Sequence, residues 1–430
     1  MSAAAPPPGE GAGRPPVFEP KLVTMFREGY DLARLRADAI AGLTVAVVAL
    51  PLSMAIAIAS GLTPDRGLYA AIVGGFLVSA LGGSRFQIGG PAGAFIVLVA
   101  ATVARHGVDG MLLATMLAGA MMLVAGVLRL GSFIRYMPHA VTVGFTAGIA
   151  VIIAASQLHD LFGLTLAGPE PGHFIEKLHA LAAAAPTLNG AAFAVALVAI
   201  ATILIVRRMR PAWPALLLGI LVATLAASLL HLPVETIGTR FGGVPGGLPL
   251  PGLPPISMER ILAVLPDAAS FALLGAIESL LSAVVADTMT GRQHRSNAEL
   301  VAQGFANIGS ALFGGMVVTG TIARTATNVR SGATGPVSGM LHAVFLLGFM
   351  LAAAPLLAFI PLAALAGLLL VVAWNMVERH AIASLVRSSV QNALVLLATF
   401  SLTVVQDLIV GIAAGVALAV LFHLIRIKAN

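Results

Sequence analysis

The sequence predicts an all-α polytopic membrane protein with 14 transmembrane segments, arranged as a 7+7 inverted repeat. Three observations favour this fold. The chain is 59% hydrophobic and only 10% charged, whereas soluble domains carry roughly 25% charged residues. Its apolar residues fall in runs close to the ~20 residues that a membrane-spanning helix needs. Its Lys and Arg residues lie mostly in the short loops between those runs.

Seven segments are predicted in the first half, and the third is short. It follows the Gly-rich stretch Gln87-Ile88-Gly89-Gly90-Pro91. A less apolar loop after the fifth segment is expected to carry a surface helix at 174–184. The predicted segments are 40–60, 68–81, 91–104, 111–128, 140–157, 191–206 and 214–230.

Seven more segments follow the stretch 231–257, whose many Pro and Gly residues predict an irregular backbone. The tenth segment is short. The predicted segments are 268–286, 300–313, 321–333, 337–357, 362–377, 392–405 and 408–425. The chain therefore divides into a disordered cytoplasmic segment 1–36, a first repeat 37–230, an extracytoplasmic linker 231–263 and a second repeat 264–430.

The basic residues set the predicted orientation. With 14 spans and the N-terminus inside, 18 of the 24 Lys and Arg residues lie in inner loops and tails, five lie outside, and Arg324 lies within a span. This bias follows the positive-inside rule and places both termini in the cytoplasm. It also accounts for the sequence pI near 10.4, so we expect no nucleic-acid partner.

A weak internal repeat supports the inverted arrangement. Phe76–Pro91 reads FLVSALGGSRFQIGGP, and Ile308–Thr321 reads IGSALFGGMVVTGT. Each stretch has Ser-Ala-Leu, a Gly pair and a Gly-containing break before a short segment. Since each half has an odd number of spans, related halves must be inverted relative to one another. Short, interrupted segments at matching positions indicate a transporter's binding site, so segments three and ten are predicted to be half-helices.

The eighth segment carries a carboxylate, Glu278, near its middle. A charge at membrane depth is costly and therefore indicates function. Ser282 lies one turn further on and faces the same side. A buried carboxylate close to a cation can take up and release a proton, so we expect a coupling-ion site here. The alternative is a carboxylate that only packs helices together.

The tenth segment carries an arginine, Arg324, beside Thr319-Gly320-Thr321. The starts of two half-helices would present unpaired N–H groups and positive dipole ends to one another. We expect 90–94 and 319–323 to face each other in this way and to bind an anion, with Arg324 adding charge and hydrogen bonds. The alternatives are that Arg324 snorkels, or that it pairs with Glu278.

Other chemistry lacks support in the sequence. No Gly-x-x-x-x-Gly-Lys-Ser/Thr motif suggests drive by ATP, no Cys/His cluster suggests a metal site, and no motif suggests an enzyme. We therefore expect no cofactor. His139, His342 and His423 are predicted to lie at span ends as interface residues.

Four motifs resemble the sulfate-permease (SulP) family of anion transporters. They are Ala276–Asp287 (AIESLLSAVVAD), Glu299–Asn307 (ELVAQGFAN), Leu312–Gly315 (LFGG) and Thr319–Asn328 (TGTIARTATN). The resemblance extends from about Leu35 to Arg426. Within the family, the chain looks most like the bacterial dicarboxylate carriers. The features that carry this likeness are Glu278 followed by Leu-Leu and a hydroxyl residue, and the later Ala-Arg-Thr.

The resemblance implies a moving core of segments one to four and eight to eleven, a gate of the other six that often dimerises, and an elevator-like mechanism. By position, Glu278, Ser282 and Gly320 match the coupling-ion region. The expected substrate-binding residues, from the resemblance and the half-helix starts together, are Gly90, Pro91, Ala92, Gly93, Thr321, Ile322, Ala323 and Arg324. The chain departs from the family pattern in stopping at Asn430 without a STAS domain, and in having Pro51-Leu52-Ser53 where many members place Gln after Pro.

The expected function is therefore proton symport of a C4-dicarboxylate such as fumarate across a bacterial cytoplasmic membrane. Sodium-coupled bicarbonate or sulfate transport is the alternative. A passive anion channel is a second alternative, but a passive pore has no need of the titrating carboxylate Glu278. The expected partners are a small anion, membrane lipid and a second copy of the chain.

Overall fold

The apolar runs of the first half form helices in the computed structural model. It describes residues 18–132, 138–168, 171, 174–211, 213–406 and 408–429. In chain order, the first-half elements are α1 Lys21–Arg27, α2 Leu32–Ala59, α3 Pro64–Tyr69, a π-helical turn Ala70–Gly74, α4 Gly75–Leu81, β1 Gly89–Gly90, a 3-10 turn Gly93–Phe95, α5 Ile96–Val127, a 3-10 turn Leu130–Ser132, α6 His139–Phe162, α7 Phe174–Ala183, a 3-10 turn Ala185–Thr187, α8 Gly190–Met209 and α9 Ala215–Leu229.

The second half repeats the alternation of long and interrupted helices. Its elements are α10 Ile237–Phe241, α11 Met258–Thr290, α12 Ser296–Leu312, β2 Thr319–Gly320, α13 Ile322–Arg330, α14 Val337–Leu357, α15 Leu362–Met376, α16 Arg379–Ser388, α17 Val390–Val405 and α18 Leu408–Ala429. In both halves a two-residue strand precedes a short helical start, which is where the sequence predicts half-helices.

The helices have the length and composition of membrane spans. Within the described ranges, seven helical stretches are long and apolar enough to cross a membrane, and three shorter apolar helices accompany them. One of the seven, 93–127, combines the third and fourth predicted segments. Gly107 divides it, because its φ of 68° and ψ of −174° interrupt the helix. The fold is thus consistent with the predicted 14 segments, and the predicted surface helix is present as α7.

The helices pack in two groups. In one group, which we call the core, α2 packs on α14, and α5 packs on both α11 and α12. In the other group, the gate, α6 packs on α15 and α17, and α8 packs on α9. The groups meet where α2 contacts α9 and α15, and where α6 contacts α5 and the turn before it. This division is the one that the resemblance implies.

The predicted disorder of 1–36 is wrong for its described part, since 18–36 contain α1 and the start of α2. Met25 of α1 is 1% exposed, and the backbone N–H of Lys21 donates to the carbonyl of Gly82 at 2.9 Å. Arg85 forms an ion pair with Glu28. The hydrogen bond that the Arg85 guanidinium donates to Glu28 holds the pKa of the Glu28 carboxyl below its usual range. Residues 1–17 lie outside the described part of the chain.

The connection between the halves is more ordered than its Pro and Gly content suggests. It contains the short helix α10, capped by Thr236, although an irregular backbone was predicted here. Its backbone also pairs with the α14–α15 connection, where the N–H of Ile237 donates to the carbonyl of Ile360 at 2.9 Å. α11 begins at Met258, inside the predicted linker 231–263, since Ser257 accepts a hydrogen bond from Arg260 N and caps this helix.

The prediction that His342 lies at a span end is wrong. His342 lies within α14, is 0% exposed, and has no hydrogen-bond partner on either ring nitrogen. Its Cε1 would lie 3.8 Å from a β-carbon at Gly75. It is therefore a core residue, close to the start of α4.

Candidate functional site

Two short strands, one from each half, cross at the centre of the core. β1 and β2 pair antiparallel, with Gly89 opposite Gly320 and Gly90 opposite Thr319. The pairing continues where the N–H of Thr321 donates to the carbonyl of Ile88 at 3.0 Å. Residues 90–94 and 319–323, which the sequence predicts to face each other, are thus brought together.

Buried side chains hold this irregular backbone in place. Asn307 forms two hydrogen bonds with the backbone of Val318, donating to its carbonyl at 2.9 Å and accepting from its N–H at 2.8 Å. Asn328 donates to the carbonyl of Phe86 at 2.9 Å, and Thr319 donates to that of Gly275 at 2.9 Å. Because hydrocarbon offers no hydrogen bonds, non-helical backbone at membrane depth needs such partners.

Each strand leads into a helix start that no side chain caps. Thr321 precedes α13, and Ala92 precedes the turn into α5, without a side-chain hydrogen bond to the first N–H groups. The positive ends of both helices therefore lie next to the crossing. A β-carbon at Gly93 would lie 3.2 Å from Ile153 of the gate. The site thus borders the surface between core and gate.

Arg324 joins the two halves. It is 2% exposed, and its Nη2 donates to the carbonyl of Pro91 at 3.1 Å and to the hydroxyl of Ser53 at 3.3 Å. A β-carbon at Gly90 would lie 2.1 Å from its Nη1, so the guanidinium lies against this glycine. Its Nε and Nη1 have no partner.

A buried guanidinium with two free nitrogens and no carboxylate beside it favours an anion. Within the described residues, Arg324 forms no ion pair, which excludes a structural pair with Glu278. Its burial excludes snorkelling toward the aqueous surface. Burial of an uncompensated charge is costly, and a planar guanidinium can hold a carboxylate-like group through two parallel hydrogen bonds. The arrangement is suited to an anion at the helix starts.

Glu278 is buried separately. Its exposed fraction is 8%, and no hydrogen bond or ion pair reaches its carboxylate from the described part of the chain. Ser282 does not bond to it; its hydroxyl lies 3.0 Å from that of Thr325, which in turn accepts from the N–H of Ile88 at 3.1 Å. Ser282 therefore supports the crossing from the side of α11.

The remaining predicted residues lie at the crossing with different exposures. Gly320 is covered by the amide of Gln87, whose Nε2 lies 1.4 Å from where a β-carbon would be. Gly90, Pro91, Ala92 and Thr321 are buried. Gly93 and Ile322 are half-buried, and Ala323 is exposed. Ala323 can therefore contribute its backbone at the helix start but no buried side chain.

Sequence reasoning missed several polar residues at the site. The sequence distinguishes Ser53 only as a departure from a family pattern, and Gln87 only as part of a Gly-rich stretch. Glu299 was placed just outside the ninth segment, yet its side chain is 0% exposed. A usable signal was present for Glu299, because a carboxylate stands directly before the apolar residues of a predicted span.

Comparison with known proteins fits this geometry. Residues 35–399 match the Sulfate permease family. YvdB of Bacillus subtilis is 41% identical over 403 residues, which is 93% of this chain and 76% of that protein. The bicarbonate transporter BicA of a Picosynechococcus species is 33% identical, over 90% of this chain and 69% of BicA. The solved transmembrane domain of a cyanobacterial BicA superposes with a TM-score of 0.80 at 33% identity, covering 89% of this chain and 98% of that one.

Proposed function

The chain belongs to the sulfate permease family, and from that premise we propose that it is a secondary active transporter that carries a C4-dicarboxylate such as fumarate together with protons. Membership makes the chain a multi-pass membrane transporter of anions and not an enzyme. The proposal concerns the substrate, the coupling ion and the residues that bind them.

One observation carries the proposal: two buried, opposite charges, Arg324 and Glu278, lie in one core without pairing to each other. Each is left to be neutralised by something that binds. Arg324, with the helix starts at Gly93 and Ile322, takes the anion. Glu278 takes the coupling cation, which we assign as a proton. Ser282 and Gly320 complete the coupling-ion region.

The charges also give a reason for coupling. With both sites empty, Arg324 and an ionised Glu278 sum to zero, and the same holds when a monoanion and a proton are both bound. With only one ligand bound, Arg324, Glu278 and that ligand together carry a net charge, whose passage across a low-dielectric region is costly. A dicarboxylate meets this condition as its monoanion. The empty and the doubly loaded core are therefore the forms that move.

The dicarboxylate assignment rests on the resemblance of 276–287 and 319–328 to that branch. Transport measurements in proteoliposomes test it directly. Labelled fumarate, bicarbonate and sulfate are offered under separate inward proton and sodium gradients. We expect fumarate to accumulate against its gradient only with protons.

Two variants test the residue roles in the same experiment. Glu278→Gln should abolish accumulation driven by the proton gradient. Arg324→Ala should raise the KM for the anion about tenfold or more, because a charged hydrogen bond contributes ~1.5–3 kcal/mol. Glu259→Gln, at the exposed start of the same helix, is the control. Normal ion dependence in Glu278→Gln, or an unchanged KM in Arg324→Ala, would refute the respective role.

Sodium-coupled bicarbonate transport is the second candidate. The observation that favours it is the similarity to BicA, described as a bicarbonate transporter, in both sequence and structure. Bicarbonate is a monoanion and satisfies the charge balance without protonation. Accumulation of labelled bicarbonate under a sodium gradient, with no response of fumarate, would select this candidate. Sulfate is also included among the labelled anions, because the matched family is named for sulfate permeases.

A passive anion channel is the remaining alternative. A channel would equilibrate the anion but never accumulate it, so the same uptake experiment excludes or selects it.

We further place the protein in the bacterial cytoplasmic membrane with both termini inside, from the distribution of basic residues. A homodimer is proposed from the resemblance, and the size of the purified protein in detergent tests it.

A further inference from the structure

A second carboxylate, Glu299, is buried in the core and surrounded by donors. The backbone N–H of Ser84 donates to its Oε2 at 3.0 Å, and Nε2 of Gln303 donates to its Oε1 at 3.1 Å. The hydroxyl of Ser279 lies 3.4 Å from the same Oε1, a long contact in which Ser279 is the donor when Glu299 is ionised. Every contact is that of a group that accepts, as an ionised carboxylate does.

This contact fixes the direction of the next hydrogen bond. Because Ser279 gives its single proton to Glu299, its oxygen is free to accept. Nε2 of Gln87 donates to that oxygen at 2.9 Å. With Ser279 donating to Glu299, the amide of Gln87 presents its nitrogen to Ser279, and its carbonyl oxygen, Oε1, is buried without a hydrogen-bond partner among the described residues.

The unpaired oxygen lies in the coupling-ion region. Gln87 is 3% exposed, and its amide lies directly over Gly320, where even a β-carbon would clash with it. Ser279, which holds the amide, is the residue next to Glu278. A buried carbonyl oxygen without a donor is a ligand of the kind that hard cations prefer.

We propose that Gln87 is a further residue of the coupling-cation site, and that Glu299, acting through Ser279, is the positioning residue that leaves the Gln87 carbonyl oxygen free to contact the cation. This inference rests on the proposed function for the place of the cation. The cation is either sodium held by oxygen atoms or the proton that Glu278 takes up, since sodium and an acidic hydrogen both present positive charge to a carbonyl oxygen.

The neighbouring charges define what else could titrate. Among the described residues, five buried titratable or charged groups lie on the elements around Gln87. They are Arg85, two residues before it in the chain, Glu278 of α11, Glu299 of α12, Arg324 of α13 and His342 of α14. Arg85 is paired with Glu28. The test therefore measures cation binding itself rather than the overall dependence of transport on pH.

Thermal unfolding of the purified chain, without any anion substrate, measures that binding. Sodium chloride is titrated against choline chloride in one arm, and pH is lowered in the other. A cation that binds the folded state raises the unfolding temperature. The midpoint is the sodium concentration, or the pH, at which half of this rise in unfolding temperature is reached. In Gln87→Met this midpoint should move about tenfold to higher sodium concentration, or about one unit to lower pH, as expected when a partner of a bound ion is removed.

A matched control is Gln157→Met. Gln157 is a buried amide of the gate, 4% exposed, and it bonds only to Ser156 among the described contacts. Its midpoint should equal that of the wild type. An equal shift in both variants, or an unchanged midpoint in a folded Gln87→Met protein, overturns the proposal. So does a wild-type chain that responds to neither cation.

Glu299→Gln provides a second route if Gln87→Met does not fold. An amide at 299 can donate to Ser279, so the chain of hydrogen bonds can reverse and turn the Gln87 nitrogen toward the ion. We expect a similar shift, and no further shift in the double variant, because the two residues act on one contact. Additive shifts would show that Glu299 acts independently of Gln87.

The outcome separates this inference from the proposed function. If the wild-type chain binds the cation with a midpoint that depends on Gln87, yet transports no anion of the panel, the proposed function is refuted and the cation site is supported. If uptake is driven by the gradient but the midpoints do not depend on Gln87, the function is supported and the role of Gln87 is refuted.

Discussion

The site depends on single glycines at which two polar side chains approach the backbone. Arg324 lies against Gly90, and Gln87 lies against Gly320. Each contact joins a residue of one half to the backbone of the other. A methyl group at either glycine would occupy space that a functional side chain already fills.

Gly320→Ala should therefore impair transport. The new β-carbon would lie 1.4 Å from Nε2 of Gln87, so the amide must move and its bond to Ser279 must break, at a cost of ~1–3 kcal/mol for overpacking. We expect strongly reduced uptake by folded protein in proteoliposomes. Gly348→Ala is the control, since no atom lies within 4 Å of its new β-carbon and alanine favours a helix. Normal uptake by Gly320→Ala would show that Gln87 is not needed in its observed place.

The charged residues of the site could be predicted from the sequence, but the amide and hydroxyl residues could not. Glu278 and Arg324 stand out because charge in an apolar segment is costly and therefore informative. Gln87 stands in a loop, where an amide is ordinary. Its partner Ser279 is 192 positions away, and no local pattern connects them. The tertiary contact alone gives Gln87 a role.

At the scale of elements, α11 is tied by one carboxylate to the stretch of α5 that ends at the break at Gly107. Asp267 accepts from Thr102 at 3.0 Å and pairs with Arg105 at 2.6 Å, and its other oxygen lies 3.3 Å from His106. Asp267 is 6% exposed. α5 begins at the proposed anion site and α11 carries Glu278, so Asp267 fixes these two parts of the core relative to each other.

Asp267→Asn should destabilise this junction. The amide keeps the shape but loses the ion pair with Arg105, and one of its two polar atoms can no longer accept. We expect a loss of ~1–3 kcal/mol, toward the lower end because Arg105 is 61% exposed and well solvated, measured as a lower unfolding temperature. Glu259→Gln on the exposed first turn of α11 should leave it unchanged. Equal stability of the two variants would contradict a clamp at Asp267.

The elements themselves were largely predictable. Apolar runs located the spans because a membrane helix must be apolar over most of its length. The helix α10 was not foreseen, since its stability comes from the cap at Thr236 and from pairing with residues near Ile360. The sequence predicts disorder over α1 because this helix has only seven residues, and its buried residue Met25 packs against Gly335, far along the chain. Short helices of this kind depend on partners that sequence periodicity does not display.

At the scale of the whole molecule, the proposed anion site lies where two helix groups meet. Gly93, at the start of α5, contacts Ile153 of α6 and lies close to Met376 of α15. An elevator-like movement of the core would carry Gly93 past these gate residues. If the core moves in this way, the contact opens during each transport cycle.

A crosslink at this place should stop transport. The chain contains no cysteine, so Gly93→Cys with Ile153→Cys introduces one defined pair. A short bifunctional thiol reagent should abolish uptake in the double variant, and a cleavable version should restore it after reduction. The single-cysteine variants, treated identically, measure the effect of modifying one thiol, and the crosslinked double variant should fall below both. Full uptake by crosslinked protein would exclude movement of Gly93 relative to Ile153.

The crossing of β1 and β2 also has a consequence for biosynthesis. Both backbone groups of Ile88 bond to residues more than 230 positions later, its N–H to Thr325 and its carbonyl to Thr321. A ribosome completes the first half well before these partners emerge. Until then the newly inserted helices must keep a stretch of unpaired backbone at membrane depth. The nascent chain therefore passes through a stage at which its future transport site is its least stable part, and where a stalled or truncated product would be open to quality-control proteases.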